Sequence, residues 1–321
     1  MKRRDFIQST LGASLLTPLE SLAETRVTHI ESEDLTGRAA LPEKYALHFM
    51  ALGDWGRSGE YNQLEVAKQM GKWATSNRNN FVVSVGDNMY PAGVISEHDP
   101  QWHFSFENVY TAHSLQCDWY AVLGNHDYRT DPDAQIRYSK ISRRWKMPAR
   151  YYAKEMALGK ENGKVLFVMI DTNPLAYDSD KEAAEEQLAW IDSTLRGASP
   201  DVKWKIVVGH HPYYTVGPRI KNYDTLAVRA ALSKTFEDHK VDAFIAGHEH
   251  SLQHLKPEGY THHFITGAGS EMSQVTAGIP YARFQANENG FMYFSMDSKR
   301  LNMKVINITG KVLYETELTK A

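Results

Sequence analysis

The chain has 321 residues, 42% of them hydrophobic, with 36 Lys and Arg against 39 Asp and Glu and a formal net charge of -3. Such a composition belongs to a globular protein and excludes disorder as the main state. The near balance of charge, without any run of five like charges, gives no basis for electrostatic capture of nucleic acid or of an anionic membrane. A single cysteine, Cys117, excludes an intrachain disulfide framework, which leaves packing and bound metal to stabilise the fold.

Residues 1–23 begin Lys2-Arg3-Arg4-Asp5-Phe6, continue through a short apolar stretch and end at Ser21-Leu22-Ala23. A charged start, apolar middle and small-residue exit have the form of an export signal, and the arginine pair resembles the twin-arginine type. The apolar stretch is interrupted by polar residues and Pro18, too short for a stable membrane anchor. The expectation is a periplasmic or secreted protein that meets the twin-arginine export machinery. Residues 24–43 are polar and aperiodic and are read as a linker.

From residue 44 onward, short apolar runs alternate with helical patterns. The runs Leu47–Leu52, Phe81–Val85, Trp119–Leu123, Val165–Ile170, Trp204–Val208 and Val241–Ala246 predict buried strands. Apolar residues at three- and four-residue spacing predict helices over Tyr61–Ala74, Gln101–Tyr110, Ala134–Trp145, Glu182–Leu195 and Thr225–Asp238. After Gly247 the pattern turns to strands at His263–Thr266, Phe291–Asp297, Leu301–Ile308 and Lys311–Glu317, expected as a meander or a second sheet. The alternation makes the fold class α/β, with one catalytic domain over 44–321.

Five of the predicted strands run into a glycine followed by polar groups. They read Gly53-Asp54-Trp55-Gly56, Gly86-Asp87-Asn88-Met89-Tyr90, Gly124-Asn125-His126-Asp127, Gly209-His210-His211 and Gly247-His248-Glu249-His250. In open α/β sheets, loops converge beyond the carboxyl ends of strands, and glycine lets the backbone turn there without a Cβ clash. The candidate donors Asp54, Asp87, Tyr90, Asn125, His126, His210, His248 and His250 offer oxygen and nitrogen but no thiolate, a set suited to Fe, Mn or Zn. Two carboxylates and several imidazoles exceed the needs of one tetrahedral ion, so two ions bridged by a carboxylate are expected.

Taken in order, these clusters resemble the signature of the calcineurin-like metallophosphoesterases. Tyr90, three residues after Asp87, narrows the resemblance to the purple acid phosphatases, and Asp133–Tyr152 is similar to their small, mammalian-type tartrate-resistant members. The resemblance implies a two-sheet β-sandwich flanked by helices in four layers. It also implies an acid phosphatase that hydrolyses small phosphate monoesters at a dinuclear Fe(III)–M(II) centre, by in-line attack of a metal-bound hydroxide. On this reading Asp54, Tyr90 and His250 hold the ferric ion and Asp87 bridges. Asn125, His210 and His248 hold the divalent ion, which is Fe, Zn or Mn, and His126 is a non-ligand imidazole facing the phosphate.

Two features depart from the family pattern. Its second substrate-facing histidine, nine residues after the metal-binding one, is Arg219 here, although His211 stands beside His210; both are candidate substrate-binding residues. The stretch between Asp171 and Glu182 is short and lacks cysteine, so proteolytic activation is not expected. The competing readings are a Mn- or Zn-dependent phosphodiesterase or nucleotidase on the same fold, and a secreted binding protein with a relic metal site.

Overall fold

The computed structural model describes residues 45–159, 163–177 and 180–320. The expected export signal over 1–23 and linker over 24–43 lie outside the described residues.

The chain builds one sheet, leaves it for a second, and returns to finish the first. Strands β1 (Leu47–Leu52), β2 (Phe81–Ser84), β3 (Asp118–Ala121) and β4 (Trp145–Lys146) pair in parallel. Strands β5 (Tyr152–Ala157), β6 (Lys164–Met169), β7 (Val202–Val208), β8 (Ala243–Ala246), β9 (Leu252–Leu255), β10 (His262–Thr266) and β11 (Ala282–Ala286) form the second sheet, in the order β11-β9-β10-β8-β7-β6-β5. Finally β12 (Gly290–Met296), β13 (Arg300–Asn307) and β14 (Val312–Thr319) add an antiparallel meander beside β1, so the first sheet runs β14-β13-β12-β1-β2-β3-β4.

Two mixed sheets of seven strands therefore face each other. Their inner faces carry Phe49, Val83, Phe167, Ile206, Ile245 and Phe294 in one apolar cluster. Phe49 lies at its middle, stacked on Phe81 (5.1 Å) and Phe294 (4.7 Å) and edge-on to Phe167 (5.3 Å). Along β1 the alternate residues Met50 and Leu52 point the other way, yet are equally buried, because helix α1 (Gln63–Ser76) covers the outer face with Val66, Ala67 and Met70. Helices α4 (Lys181–Arg196) and α5 (Tyr223–Asp238) cover the second sheet through Ile191, Leu195, Val228, Leu232 and Phe236. Covered on both faces, the parallel strands read as continuous apolar runs rather than as alternation. The short helices α2 (Asp133–Tyr138) and α3 (Asn173–Ala176) belong to connections.

Several expectations are corrected. The pattern over Ala134–Trp145 stops being helical at Tyr138. The Ser142 hydroxyl accepts from the amides of Arg144 and Trp145, the buried Arg144 guanidinium donates to Tyr110 O and Glu107, and Trp145 enters β4. Over Gln101–Tyr110 a six-residue π-helical turn, Trp102–Glu107, forms instead of a regular helix. Its wider turn places Trp102 and Phe106 together against Trp145, at 5.3 and 5.2 Å between ring centres. The strands after Gly247 divide between both sheets rather than forming one unit.

Candidate metal centre

The parallel strands β1, β2 and β3 end side by side in one sheet, and β7 and β8 end side by side in the other. Their following loops meet at one edge of the sandwich. Asp54 and Asp87 are buried, as are His210 and His248. The backbone bend falls on the donor residues themselves: Asp54, Asp87 and His248 adopt φ of 59°, 48° and 68°. A non-glycine residue in this left-handed region is costly and persists only where its surroundings fix it. Of the preceding glycines, Gly86 turns as expected, at φ 91°, whereas the others do not adopt a positive φ. At Gly124 a Cβ would lie 2.2 Å from both the amide nitrogen and Oδ1 of Asp87, so glycine is required there for close approach of two loops.

The donor atoms fall into two overlapping groups. In the first, the Tyr90 hydroxyl lies 3.2 Å from Asp54 Oδ1, 2.9 Å from Asp87 Oδ2 and 3.2 Å from His250 Nε2, and His250 Nε2 is 3.4 Å from Asp54 Oδ1. In the second, His210 Nε2 lies 3.5 Å from Asp87 Oδ2, 3.3 Å from Asn125 Oδ1 and 3.2 Å from His248 Nδ1. Asp87 Oδ2 belongs to both. Ligands about 2.0–2.2 Å from a shared ion stand about 3–3.5 Å from one another, which is the spacing found.

Proton accounting favours cations at both positions. His210 Nδ1 faces only a carbonyl, Val85 O, at 2.9 Å and so carries the proton. His248 Nε2 donates to Asp224 Oδ2 at 2.9 Å. With both imidazoles neutral, as metal ligation requires, the remaining nitrogens, His210 Nε2 and His248 Nδ1, confront each other as lone pairs, with two further oxygen acceptors alongside. In the first group the Tyr90 hydroxyl, with one proton to give, faces two carboxylate oxygens. Clusters with more lone pairs than protons are what a metal centre requires, and the outward hydrogen bonds from each imidazole fix its tautomer.

With no cation beside them, Asp87 and His210 hold a proton between them in its place. Burial would raise the Asp87 carboxyl, but the imidazoles of His210, His126 and His248 hold it far below the usual range. Burial opposes charge on His210, whereas Asp87 pushes it up to about 9. Burial, His210 and Arg219 hold His248 neutral. Burial and the carboxylates of Asp54 and Asp87 drive the Tyr90 phenol well above its ordinary value. A cation beside these groups reverses the local preference of the phenol and displaces the proton shared by Asp87 and His210.

The other predicted residues lie around this cluster. The His126 amide donates to Asp87 Oδ1 at 2.7 Å, its Nδ1 donates to Pro91 O at 2.6 Å, and its Nε2 is 4.0 Å from Asp87 Oδ2. His211 is fully buried beside His248, with ring centres 4.4 Å apart. Both its nitrogens already have hydroxyl partners, Thr172 Oγ1 at 2.8 Å and Tyr177 OH at 3.2 Å, so it presents no free ring nitrogen. Arg219 is anchored through its amide to Glu249 Oε1 at 2.8 Å, its guanidinium loosely beside the same carboxylate, and its charge reaches His248 and Tyr177.

Several supporting residues escaped sequence reasoning. Asp127, inside the fourth-position signal of Gly124-Asn125-His126-Asp127, is fully buried and accepts the amides of Asn88, Met89 and Gly124 at 2.9–3.1 Å. Its place directly after His126 was a usable signal. Asp224 lies in the first turn of α5 and has no local motif to mark it. Arg129 Nη2 reaches His126 Nε2 at 3.2 Å, and Arg57 packs on the Tyr90 ring.

The sequence pattern of the family described as calcineurin-like phosphoesterase matches residues 47–252. Purple acid phosphatase 17 of Arabidopsis thaliana is 34% identical to this chain over 297 residues, covering 86% of this chain and 85% of that protein. The chain is a calcineurin-like phosphoesterase of the purple acid phosphatase family. Tartrate-resistant acid phosphatase type 5 of Oryctolagus cuniculus is 33% identical, covering 85% of this chain and 91% of its own length. Among solved structures, GAP50, the anchor in the inner membrane complex of Plasmodium, superposes with a TM-score of 0.78 over 87% of this chain and 90% of that one. At 24% identity that likeness speaks for the fold alone. Membership implies a dinuclear metal centre, and the two donor groups of this purple acid phosphatase share one carboxylate oxygen, as such a centre needs.

Proposed function

We propose that the chain is an acid phosphatase that hydrolyses small phosphate monoesters at a dinuclear metal centre. The observation that carries this reading is the paired donor cluster sharing Asp87 Oδ2, on a fold whose curated relatives are named acid phosphatases. Asp54, Tyr90 and His250 are the residues to hold a ferric ion, and Asn125, His210 and His248 a divalent Fe, Zn or Mn ion, with Asp87 common to both. When bound, such a pair of cations neutralises phosphate oxygens and lowers the pKa of water.

The chain's own residues do the rest. Asp224 holds His248 in one tautomer, and Val85 O does the same for His210. His126, partly exposed and fixed by Pro91 O, turns its Nε2 toward Asp87. Protonated, that nitrogen donates to a phosphoryl oxygen or to the departing alkoxide. Burial lowers its pKa, so the protonated form gains population toward acid pH. Arg219 adds positive charge beside the cluster for an anionic substrate, and His211 acts through the Tyr177 hydroxyl.

Tyr90 favours this reading over a phosphodiesterase or nucleotidase, because a phenolate ligand suits a ferric ion. The Lys2-Arg3-Arg4 start supports export to the periplasm or medium, with residues 24–43 as linker and 44–321 as catalytic domain. No helix among the described residues is long and apolar enough to cross a membrane. Elemental analysis, a visible spectrum and parallel monoester and diester assays on the purified protein test the function. Two metals per chain with iron, a visible band and a preference for monoesters are expected; a colourless, iron-free protein that prefers diesters would refute the reading.

A further inference from the structure

Arg57 is the fifth residue of the loop that begins at Gly53, three positions after Asp54. Nothing in its sequence context marks it as functional, yet the structure fixes it on several sides. Its Nε donates to Ser270 Oγ at 3.1 Å, and Nη2 donates to Glu271 Oε2 at 2.7 Å. Its guanidinium carbon stands 3.6 Å from the centre of the Tyr90 ring, and 5.0 Å from that of Tyr61. The side chain is only 14% exposed. Ser270 Oγ in turn donates to Asp54 O at 2.5 Å, and Glu271 Oε2 lies 3.6 Å from His250 Nδ1. Arg57 thus ties together the neighbourhoods of Asp54, Tyr90 and His250, the three residues unique to the first donor group.

We propose that Arg57 is a positioning residue that tunes the Tyr90 phenolate: its guanidinium, stacked on the ring face, lowers the energy of the π electrons that the ring shares with a ferric ion. The inference rests on the ferric reading above. Its physical basis is the attraction between a cation and the electron-rich face of an aromatic ring, strongest when both are shielded from water. Arginine suits the task because its planar group stacks on the ring while its edge stays hydrogen-bonded to Ser270 and Glu271. A phenolate carries more π density than a phenol, so the contact is stronger with the ring of a metal-bound phenolate. Bringing a cation this close also makes the ring a poorer electron donor.

Two consequences can be read without measuring turnover. Removing the cation raises the energy of the phenolate electrons, so their light-driven transfer to iron needs less energy and the visible band moves to longer wavelength. It also removes a positive charge from the vicinity of the ferric ion, which lowers the Fe(III)/Fe(II) reduction potential.

The experiment compares visible spectrum, reduction potential and iron content of wild type, Arg57→Leu and Arg57→Lys, each purified as the metal-loaded full chain. The leucine variant is expected to retain iron, absorb at longer wavelength and show a lower potential; the lysine variant is expected between it and wild type. A coloured wild type whose band stays in place in Arg57→Leu overturns the inference and leaves the ferric reading standing. So does a lysine variant displaced as far as the leucine one, since that assigns the effect to packing rather than charge. Loss of iron from Arg57→Leu, with an unmoved band in what remains, likewise makes the role merely structural. A colourless, iron-free wild type overturns both readings together.

Discussion

His126 and Asp224 each touch the donor cluster through one atom, and their consequences differ. Asp224 accepts from His248 Nε2 and so controls which nitrogen faces the cluster. Replacing it with asparagine removes the charge and allows the opposite tautomer. The expectation for Asp224→Asn is a weaker second ion, by about 10–100-fold in affinity, read by metal titration of the chelated protein. His126 binds the cluster through its amide, which accompanies any side chain at that position. His126→Ala should therefore keep both metals while turnover falls by about 10²–10⁴-fold. Elemental analysis beside a monoester assay checks this, and loss of metal would remove His126 from its assigned place. At this scale the sequence was informative wherever chemistry sits inside a short motif. It was silent on Asp224 and Arg57, whose partners are distant in the chain.

The elements position the donors through their ends, and the loops between them are crowded. Gly124 shows how little room there is, since the Cβ of an alanine would overlap the Asp87 amide and carboxylate. Gly124→Ala should displace Asp87, the one donor common to both groups, and cost about 1–3 kcal/mol in stability through overpacking. Metal content is expected to drop while far-ultraviolet circular dichroism stays near wild type. A variant with both ions at full occupancy would contradict that account. The strands that carry the donors were legible because each is a buried apolar run halted by glycine. The stretch Ala134–Trp145 misled because its apolar spacing suits a helix, whereas its second half is governed by a buried arginine and a serine turn. Neither partner could be located from local pattern. Strands β5, β9 and β11 were also missed; β5, at one edge of the second sheet, is largely exposed and lacks the apolar run used as the signal.

Across the whole molecule, the sandwich core and the acid habit of the family set different demands. His254 and His262 lie on the second sheet away from the donor cluster, their rings stacked and His254 Nε2 3.0 Å from His262 Nδ1. His254 Nδ1 also meets Tyr314 OH at 3.0 Å, and Lys256 and Arg283 add positive charge nearby. Burial, the neighbouring imidazole and these cations hold His254 down to about 3. Burial, Lys256 and Arg283 hold His262 down to about 4. An unfolded histidine titrates near 6.5, so between about pH 6.5 and 4 the unfolded chain binds more protons than the folded one. Stability is complete above that window and declines as pH falls through it, by ~1.4 kcal/mol per pH unit for each proton taken up on unfolding. Denaturant unfolding at several pH values should show this slope, and His262→Asn should flatten it. An unchanged slope in the variant would place the acid sensitivity elsewhere. The two-layer architecture was legible from alternation and from the family resemblance. The return of the last three strands to the first sheet was not, because strand order depends on which edge is vacant when the chain arrives.

The division of labour between the sheets has a mechanical meaning. Asp54, Asp87, Tyr90 and Asn125 follow strands of one layer and bring oxygen, whereas His210, His248 and His250 follow strands of the other and bring nitrogen. On the proposed ligand assignment neither half owns a complete coordination shell. Bound ions would then act as rivets through the seam, and any sliding of one layer across its neighbour would part the carboxylates from the imidazoles.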